Sequence, residues 1–236
     1  MSAQNLAAAA PIPDGKWLYR AGGIAAFVLV VGYLLTFPVY AWVGDAPPNG
    51  VEARLAYFAK HATGWWMILG LMVFTDLLYV PIFLSLYRAL KAVSRNGMLL
   101  AVACQGLFVV LDLALTWTAY STLLTLGRHY AAATTDVQRA ALVAAAGYPC
   151  AMLDSPLLGV CVIVIPSLGF LITGLVMLRG VFNKTTACLA LTAGITGIAF
   201  MGSYIVGALA MLRIVNALLV TVWYGFVGWK LCRLGK

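Results

Sequence analysis

The chain has 236 residues, of which 64% are hydrophobic and 9% charged, and its formal net charge is +8. Soluble domains carry about 25% charged residues, so this composition excludes an ordinary globule with a surface that faces water. The mean hydropathy of +0.98 predicts instead a single domain that faces lipid. The basic residues lie between apolar segments, where they meet anionic headgroups, so nucleic acid is not an expected partner.

The predicted elements begin with a polar tail at 1–19, in which no basic region precedes an apolar core. We therefore expect no cleavable signal peptide and interpret the first apolar run as a retained helix. About 20 helical residues cross a hydrocarbon layer of ~30 Å, and six runs have that length. They cover about 20–43, 65–90, 98–126, 156–178, 185–204 and 208–232. The expected fold class is all-α: one polytopic transmembrane helix bundle at 20–232, followed by a short tail at 233–236.

Two linkers predict short surface helices outside the bundle. Residues 51–61 alternate between apolar and polar at helical spacing, and 135–146 open with a capping box from Thr135 to Gln138. The fourth apolar run is interrupted by prolines. Ser155 followed by Pro156 is typical of an N-cap and a first helical residue, so the fourth membrane helix is predicted to begin there.

Basic residues predict the orientation of the bundle. When the linkers alternate between the two sides, ten basic residues fall on the side of the termini and five on the other. The positive-inside rule then predicts that both termini are cytoplasmic. Tryptophans at the predicted helix ends agree with an aromatic belt at the interfaces.

Two aspartates within apolar runs are the main candidates for a polar site. An aspartate at mid-bilayer costs roughly 2.5–3.5 kcal/mol, so each should face the bundle interior. Asp76 precedes Ser94, the centre of a short predicted turn, by 18 residues, and Asp112 follows Ser94 by the same number. Equal offsets in an antiparallel hairpin place both carboxyls at one depth. Other polar residues continue these two faces at helical spacing: Tyr79 beside Asp76, and Gln105, Thr116 and Tyr120 beside Asp112.

Two carboxyl groups that face each other in a low dielectric cannot both ionise without a cation, so such a pair should keep one proton. One interpretation is a proton or cation site, or a polar anchor for a ligand. The other is structural, with each carboxyl protonated or hydrogen-bonded between helices.

A second candidate pair, Asp154 and Arg213, lies on the opposite side from the termini. Asp154 precedes Ser155 and Pro156, where a helix N-terminus favours a carboxylate. Arg213 begins the last helix at a similar depth and could pair with Asp154.

The sequence gives little support for a cofactor, a metal site or a catalytic site. His61 and His129 lie just outside membrane helices, which argues against a buried haem or a zinc site, and no cofactor is expected. The five cysteines have no C-x-x-C spacing and are expected as free thiols. No G-x-S-x-G motif or triad pattern indicates nucleophilic catalysis. Gly194 and Gly197 form a small-residue face that predicts close helix packing.

Several segments together resemble a family of bacterial multi-pass proteins, the domain of unknown function 4386 family. The resemblance begins with R-x-x-G at Arg20 and Gly23, is clearest at Asp76 and the basic segment 86–95, and returns at 167–174. It implies a bundle of six to seven membrane helices with no established activity. Asp76 is the one polar residue that the resemblance carries over.

The leading functional hypothesis is a non-enzymatic integral protein of a bacterial inner (cytoplasmic) membrane, of unknown molecular role, with an apolar ligand or a membrane-protein partner as the candidates for what it binds. The alternative is a small proton- or cation-coupled transporter that uses Asp76 and Asp112. An intramembrane enzyme is a third hypothesis, for which the sequence offers no recognisable set of catalytic residues.

Overall fold

The structure, a computed structural model, describes residues 15–44 and 47–236. The predicted tail at 1–19 lies outside the described residues except for 15–19, and so does part of the turn that follows the first helix. Over the described chain the secondary structure is helical, and six helices are long and apolar enough to cross a membrane. These spans are Lys16–Val43, Ala62–Leu90, Arg95–Ala132, Pro156–Met177, Lys184–Tyr204 and Gly207–Leu234. The predicted all-α bundle is confirmed.

Some spans contain more than one helical segment. The first two are single helices, α1 (Gly15–Val43) and α3 (Ala62–Leu90), with the short α2 (Val51–Lys60) between them. The third joins α4 (Arg95–Leu111) and α5 (Thr118–Ala132) through a π-helical segment, Asp112–Trp117. After α6 (Asp136–Leu153), the fourth joins α7 (Pro156–Gly159) and α8 (Ile165–Met177) through a second π-helical segment, Val160–Val164. The last two contain α9 (Lys184–Phe200) and α10 (Leu212–Leu234), linked by two 3-10 turns, Met201–Tyr204 and Gly207–Met211.

The spans form a ring in which each helix packs against two neighbours. The order around the ring is α1, α3, α4, α8, α9 and α10, and α10 closes it against α1. Glycines permit some of these close approaches. A Cβ on Gly194 of α9 would lie 2.8 Å from the Ser167 carbonyl oxygen of α8, and one on Gly197 would overlap the Ser167 hydroxyl. The small-residue packing face predicted in the fifth span is therefore confirmed.

The start of α1 and the end of α10 lie at the same end of the ring, which we call the termini end. The Lys16 ammonium donates to the Lys236 carbonyl over 2.9 Å, and Arg20 Nε donates to the Gly235 carbonyl over 2.8 Å. These contacts hold the start of α1 against the end of α10. The predicted placement of the termini on one side follows from the even number of spans.

The opposite end carries a small extra layer of helices. The third span is 38 residues long, about 57 Å at 1.5 Å per residue, whereas the hydrocarbon layer is ~30 Å thick. Its excess length projects from the ring and packs against α2 and α6. We call α2, α5 and α6 together the cap. Its apolar core includes Leu55, Phe58, Leu123 and Ala146.

Helix starts follow the sequence signals closely. The side chains of Thr135 and Ser155 accept from the backbone N–H of Gln138 and Leu157 respectively, as N-caps do. The predicted surface helix after Thr135 is longer than expected and continues through Pro149 to Leu153. Pro149 is buried in the cap, so packing offsets the cost of a proline within the helix.

Aromatic side chains fill the middle of the ring. Tyr79, Phe83, Phe170, Trp223 and Tyr224 form a contiguous cluster, with ring centroids 4.9 Å apart between Phe170 and Trp223 and 5.5 Å apart between Tyr79 and Tyr224. All five side chains are buried. We call this cluster the aromatic plug, because it separates the termini end of the ring from the space described next.

Candidate functional site

A cavity of about 770 Å³ lies between the aromatic plug and the cap. All six ring helices and both π-helical segments contribute to its walls, which are mostly apolar. The hydroxyl, amide and charged groups come from separate helices: Tyr33, Thr36 and Tyr40 of α1, Tyr57 of α2, Asp76 and Tyr79 of α3, Asp112, Thr116 and Tyr120 of the third span, Ser167 of α8, and Arg213, Asn216 and Thr221 of α10. A mostly apolar space with a few convergent polar groups is the usual form of a small-molecule site.

The structure brings Asp76 and Asp112 together at the inner end of this cavity. The two carboxyl groups interact directly, and the residues are only 2% and 7% exposed. Trp117 Nε1 donates to Asp76 Oδ2 over 2.7 Å. We call Asp76 and Asp112 the acid pair. It occupies the middle of the bundle, since Asp76 is 14 residues from each end of α3.

The π-helical segment explains how one helix supplies both Asp112 and Trp117. On an α-helix, two side chains that are five residues apart point in different directions. The wider i→i+5 turn of a π-helix brings them to the same side. The Thr118 hydroxyl donates to the carbonyl five residues back, at Leu113, over 2.9 Å. The widened turn therefore directs Asp112 and Trp117 toward α3 together.

Aromatic rings connect the acid pair to the cap. The rings of Trp117 and Tyr120 are 5.8 Å apart, and Tyr120 stacks on Trp65 at 5.0 Å. Trp65 in turn packs edge-on against Phe58 of the cap at 5.1 Å. These contacts form one wall of the cavity and fix the position of the cap on the ring.

Tyrosines border the acid pair toward the plug. The hydroxyl groups of Tyr33 and Tyr79 are 2.7 Å apart and share a hydrogen bond. Tyr79 is one turn from Asp76 on α3 and also belongs to the aromatic plug. The cavity therefore ends in hydroxyl and carboxyl groups, behind which lie packed rings.

Of the residues predicted for this site, Gln105 is the one that lies elsewhere. Tyr79, Thr116 and Tyr120 line the cavity with the acid pair. Gln105 Nε2 instead donates to the Pro166 carbonyl over 2.8 Å and borders a separate void of about 70 Å³. It lies seven residues before Asp112, about 10 Å toward the termini end, where α4 and α8 are already in contact.

The structure gives Asp154 a different partner from the predicted one. Arg54 Nη2 donates to Asp154 Oδ1 over 2.7 Å, and this hydrogen bond raises the pKa of the Arg54 guanidinium. Asp154 follows the last residue of α6, where it faces α2 across the cap, and Ser155 supplies the helix cap instead. Arg213 lines the cavity. The sequence alone could not place α2 beside the end of α6.

Sequence analysis missed two residues that complete the site. Trp117 follows Asp112 by five residues, a spacing that places the two on different faces of an α-helix, so only the π turn reveals their common direction. Tyr33 carries a lone hydroxyl in an apolar run, and such a hydroxyl is a weak signal by itself. Among the described residues, no group of three or more His, Cys, Asp or Glu side chains could hold a metal ion.

The chain matches no protein-family model, no curated protein and no solved structure. The resemblance to the domain of unknown function 4386 family therefore stays a prediction, and the functional argument rests on the geometry of the cavity.

Proposed function

We propose that this protein is a non-enzymatic membrane protein that binds a small, largely apolar ligand in the cavity, with the acid pair as its polar anchor. The observation that carries the proposal is the 770 Å³ space with two contacting carboxyl groups at its inner end. Apolar and aromatic walls favour an apolar ligand body. The acid pair favours a ligand end that donates hydrogen bonds or carries a positive charge.

The surroundings of the acid pair support a role as anchor. Two buried carboxyl groups in contact destabilise each other unless a proton or a cation lies between them. Trp117 supplies one N–H group and the Thr116 hydroxyl interacts with Asp112, whereas no basic residue in the described part of the chain forms an ion pair with either acid. A ligand amine or hydroxyl would satisfy the remaining carboxyl oxygens.

Thermal unfolding of the purified protein in detergent tests this proposal. Dodecylamine and dodecanol are suitable probes, because each joins an apolar chain to a donor group. A ligand that binds only the folded state raises the midpoint of unfolding. We expect a rise in the parent protein, and its loss in Ile163→Trp, which fills the cavity, and in Asp112→Asn, which removes one acid.

The matched control is Ile195→Trp, because Ile195 is exposed on the outer face of α9 and does not line the cavity. It should respond to the probes as the parent does. An equal rise in Ile163→Trp and in the parent would contradict binding in the cavity.

A proton- or cation-coupled transporter that uses Asp76 and Asp112 is the second candidate function. The direct contact of the two carboxyl groups within a cavity favours it. The aromatic plug disfavours it, because transport would require those packed rings to separate. Reconstituted vesicles with an imposed pH gradient distinguish the two: a transporter would show ion flux that Asp76→Asn and Asp112→Asn abolish, whereas a binding protein would show none.

We further propose that the protein resides in the cytoplasmic membrane of a bacterium, with both termini in the cytoplasm. The excess of basic residues at the termini end supports this orientation. The cap would then lie on the outer side, and the cavity would occupy the outer half of the bilayer.

A further inference from the structure

Helices α1 and α10 pack closely at the termini end. There, a Cβ on Gly23 would lie 2.9 Å from the backbone nitrogen of Cys232, and one on Gly228 would lie 3.1 Å from the Gly23 carbonyl oxygen. Each of the two helices also packs against a second neighbour. Near the cap, α1 stays against α3, where a Cβ on Gly64 would meet Val43.

The other half of α10 stays against α9. Asn216 Nδ2 donates to the Ala193 carbonyl over 2.6 Å and to the Thr196 hydroxyl over 2.9 Å. On the cap side, α1 is therefore held by α3 and α10 is held by α9.

Residues of α1 and α10 on the cap side both line the cavity and face outward. Phe37 of α1 is 49% exposed, Ile214 of α10 is 56% exposed, and Ala217 is also exposed. A residue that lines an internal space and is also exposed marks a place where that space opens. Phe37 is six residues from the end of α1, and Ala217 is ten residues into the last span. These separations correspond to depths of roughly 9–15 Å, within the thickness of the hydrocarbon layer.

The turn between α9 and α10 is apolar, which favours a position at the bilayer interface for the side of the cavity next to α10. The segment 201–211 contains no charged residue, and Ile205 at its tip is 90% exposed. Its 3-10 turns satisfy backbone groups internally, as in the bond of 2.8 Å from Val206 N to the Gly202 carbonyl. An apolar turn of this kind is most stable at the bilayer interface, so the rim beside it lies against lipid.

We propose that the cavity opens sideways into the bilayer through a portal formed by Phe37, Tyr40, Ile214 and Ala217. The proposal deepens the proposed function and rests on it: the ligand is a lipophilic amphiphile dissolved in the membrane, which enters from the lipid phase. Arg213, next to Ile214, lies at the rim where its side chain can reach the headgroups while its stem covers apolar surface. The donor end of the amphiphile then goes to the acid pair and its chain lies along the aromatic wall.

Photocrosslinking tests the portal without any ligand. A benzoylphenylalanine is placed at position 217 of the full chain in phospholipid nanodiscs and irradiated, and phospholipid adducts are measured by mass spectrometry. Val222, on the outward face of α10, is the positive control. Val137, on α6 in the cap, is the control for an exposed residue outside the bilayer; both side chains are exposed. We expect adducts at 217 comparable to those at 222. Adducts at 222 without adducts at 217 would overturn the proposal, whatever the cavity binds.

Binding kinetics test the route of the ligand. The probe is a long-chain amine that carries a nitroxide, which quenches the tryptophans of the cavity wall. Ala217→Phe narrows the portal, and Val222→Phe is the matched control on the same helix. We expect Ala217→Phe to slow association and dissociation several-fold, while Val222→Phe leaves both rates unchanged.

The two proposals fail in different ways. Unchanged rates in Ala217→Phe would overturn the portal and leave binding in the cavity intact, since the probe would then enter elsewhere. Absence of saturable quenching in the parent protein would contradict the proposed function, and the lipid adducts at 217 would still decide whether this position faces lipid.

Discussion

At the scale of single residues, the buried contacts of Asp76 matter most. Its carboxyl group is held by the Trp117 N–H and lies against Asp112 in the middle of the bundle. A hydrogen bond to a buried carboxyl group stabilises more than one at the surface because little water competes for it. Trp117 therefore both supports the fold and positions the acid pair.

The first prediction concerns this hydrogen bond. Trp117→Phe keeps an aromatic ring and removes the N–H donor, so we expect the free energy of unfolding to fall by about 1–2 kcal/mol. Equilibrium unfolding in mixed detergent measures the change. Trp66→Phe is the matched control, because Trp66 is half-exposed on the same bundle and should change stability little. An equal loss in both variants would contradict a specific role for the Trp117 donor.

The second prediction concerns the ion pair between Arg54 and Asp154 in the cap. The Asp154 side chain is 60% exposed and that of Arg54 is 12% exposed, so the pair should contribute at most about 1 kcal/mol, and less at high salt. A double-mutant cycle with Arg54→Gln and Asp154→Asn measures the coupling free energy.

The sign of its alkaline pH dependence follows from Arg54. The pKa of its guanidinium is raised by the hydrogen bond to Asp154, so its contribution is complete below the ordinary pKa of arginine and is lost only above the raised value. The coupling should therefore stay constant from neutral to mildly alkaline pH. A steady decline over that range would contradict the assignment.

At the scale of elements, the fifth span depends on glycine. Gly194 lets α9 approach α8 until a Cβ would lie 2.8 Å from the Ser167 carbonyl oxygen, whereas a Cβ on Gly225 of α10 would meet open space. Substitution by alanine should therefore affect the free energy of unfolding differently at the two positions.

The third prediction compares these two glycines. Gly194→Ala should lower the free energy of unfolding by about 1–3 kcal/mol, because backbone must move to admit the methyl group. Gly225→Ala should leave it unchanged or raise it by up to about 1 kcal/mol, since alanine favours the helix. Unfolding curves in one detergent provide the comparison, and a similar effect at both positions would contradict the close packing of α8 and α9.

The π-helical segments also determine which side chains an element presents on one face. Asp112–Trp117 adds width to one turn and thereby combines Asp112 and Trp117 on one face. The sequence predicted a polar stripe of Asp112, Thr116 and Tyr120, and these three residues line the cavity. It could not predict Trp117, because the width of a turn depends on tertiary packing as well as on local composition.

At the scale of the whole molecule, the membrane-spanning helices differ in length, and these differences determine how the cavity is enclosed. The third span is longer than the hydrocarbon layer is thick, and its excess length carries the cap. The turn between α9 and α10 is short and contains no charged residue. The cavity is covered by the cap on one side, and on the other side lies the proposed portal to the lipid.

The fourth prediction tests the orientation of the bundle. Green fluorescent protein fused after Lys236 should fluoresce in bacterial cells, and alkaline phosphatase fused at the same place should be inactive, because the C-terminus is expected in the cytoplasm. Phosphatase inserted between α5 and α6, at 133–135, should be active. The reverse pattern would place the cap in the cytoplasm and contradict the proposed orientation.

The sequence by itself determined the class of fold and the number of its membrane-spanning helices. Six long apolar runs in a chain with few charges can satisfy their backbone groups in lipid only as helices, and caps such as Thr135 and Ser155 act through neighbouring residues. The common depth of Asp76 and Asp112 followed from their equal distances to one turn.

Only the tertiary structure decided which side chains meet. The pairing of Asp154 with Arg54 and the approach of Tyr33 to Tyr79 depend on how distant helices pack around the ring. Helix formation in lipid is a local requirement that each segment meets alone, whereas a cavity is a property of the gaps between segments, and no single segment encodes it.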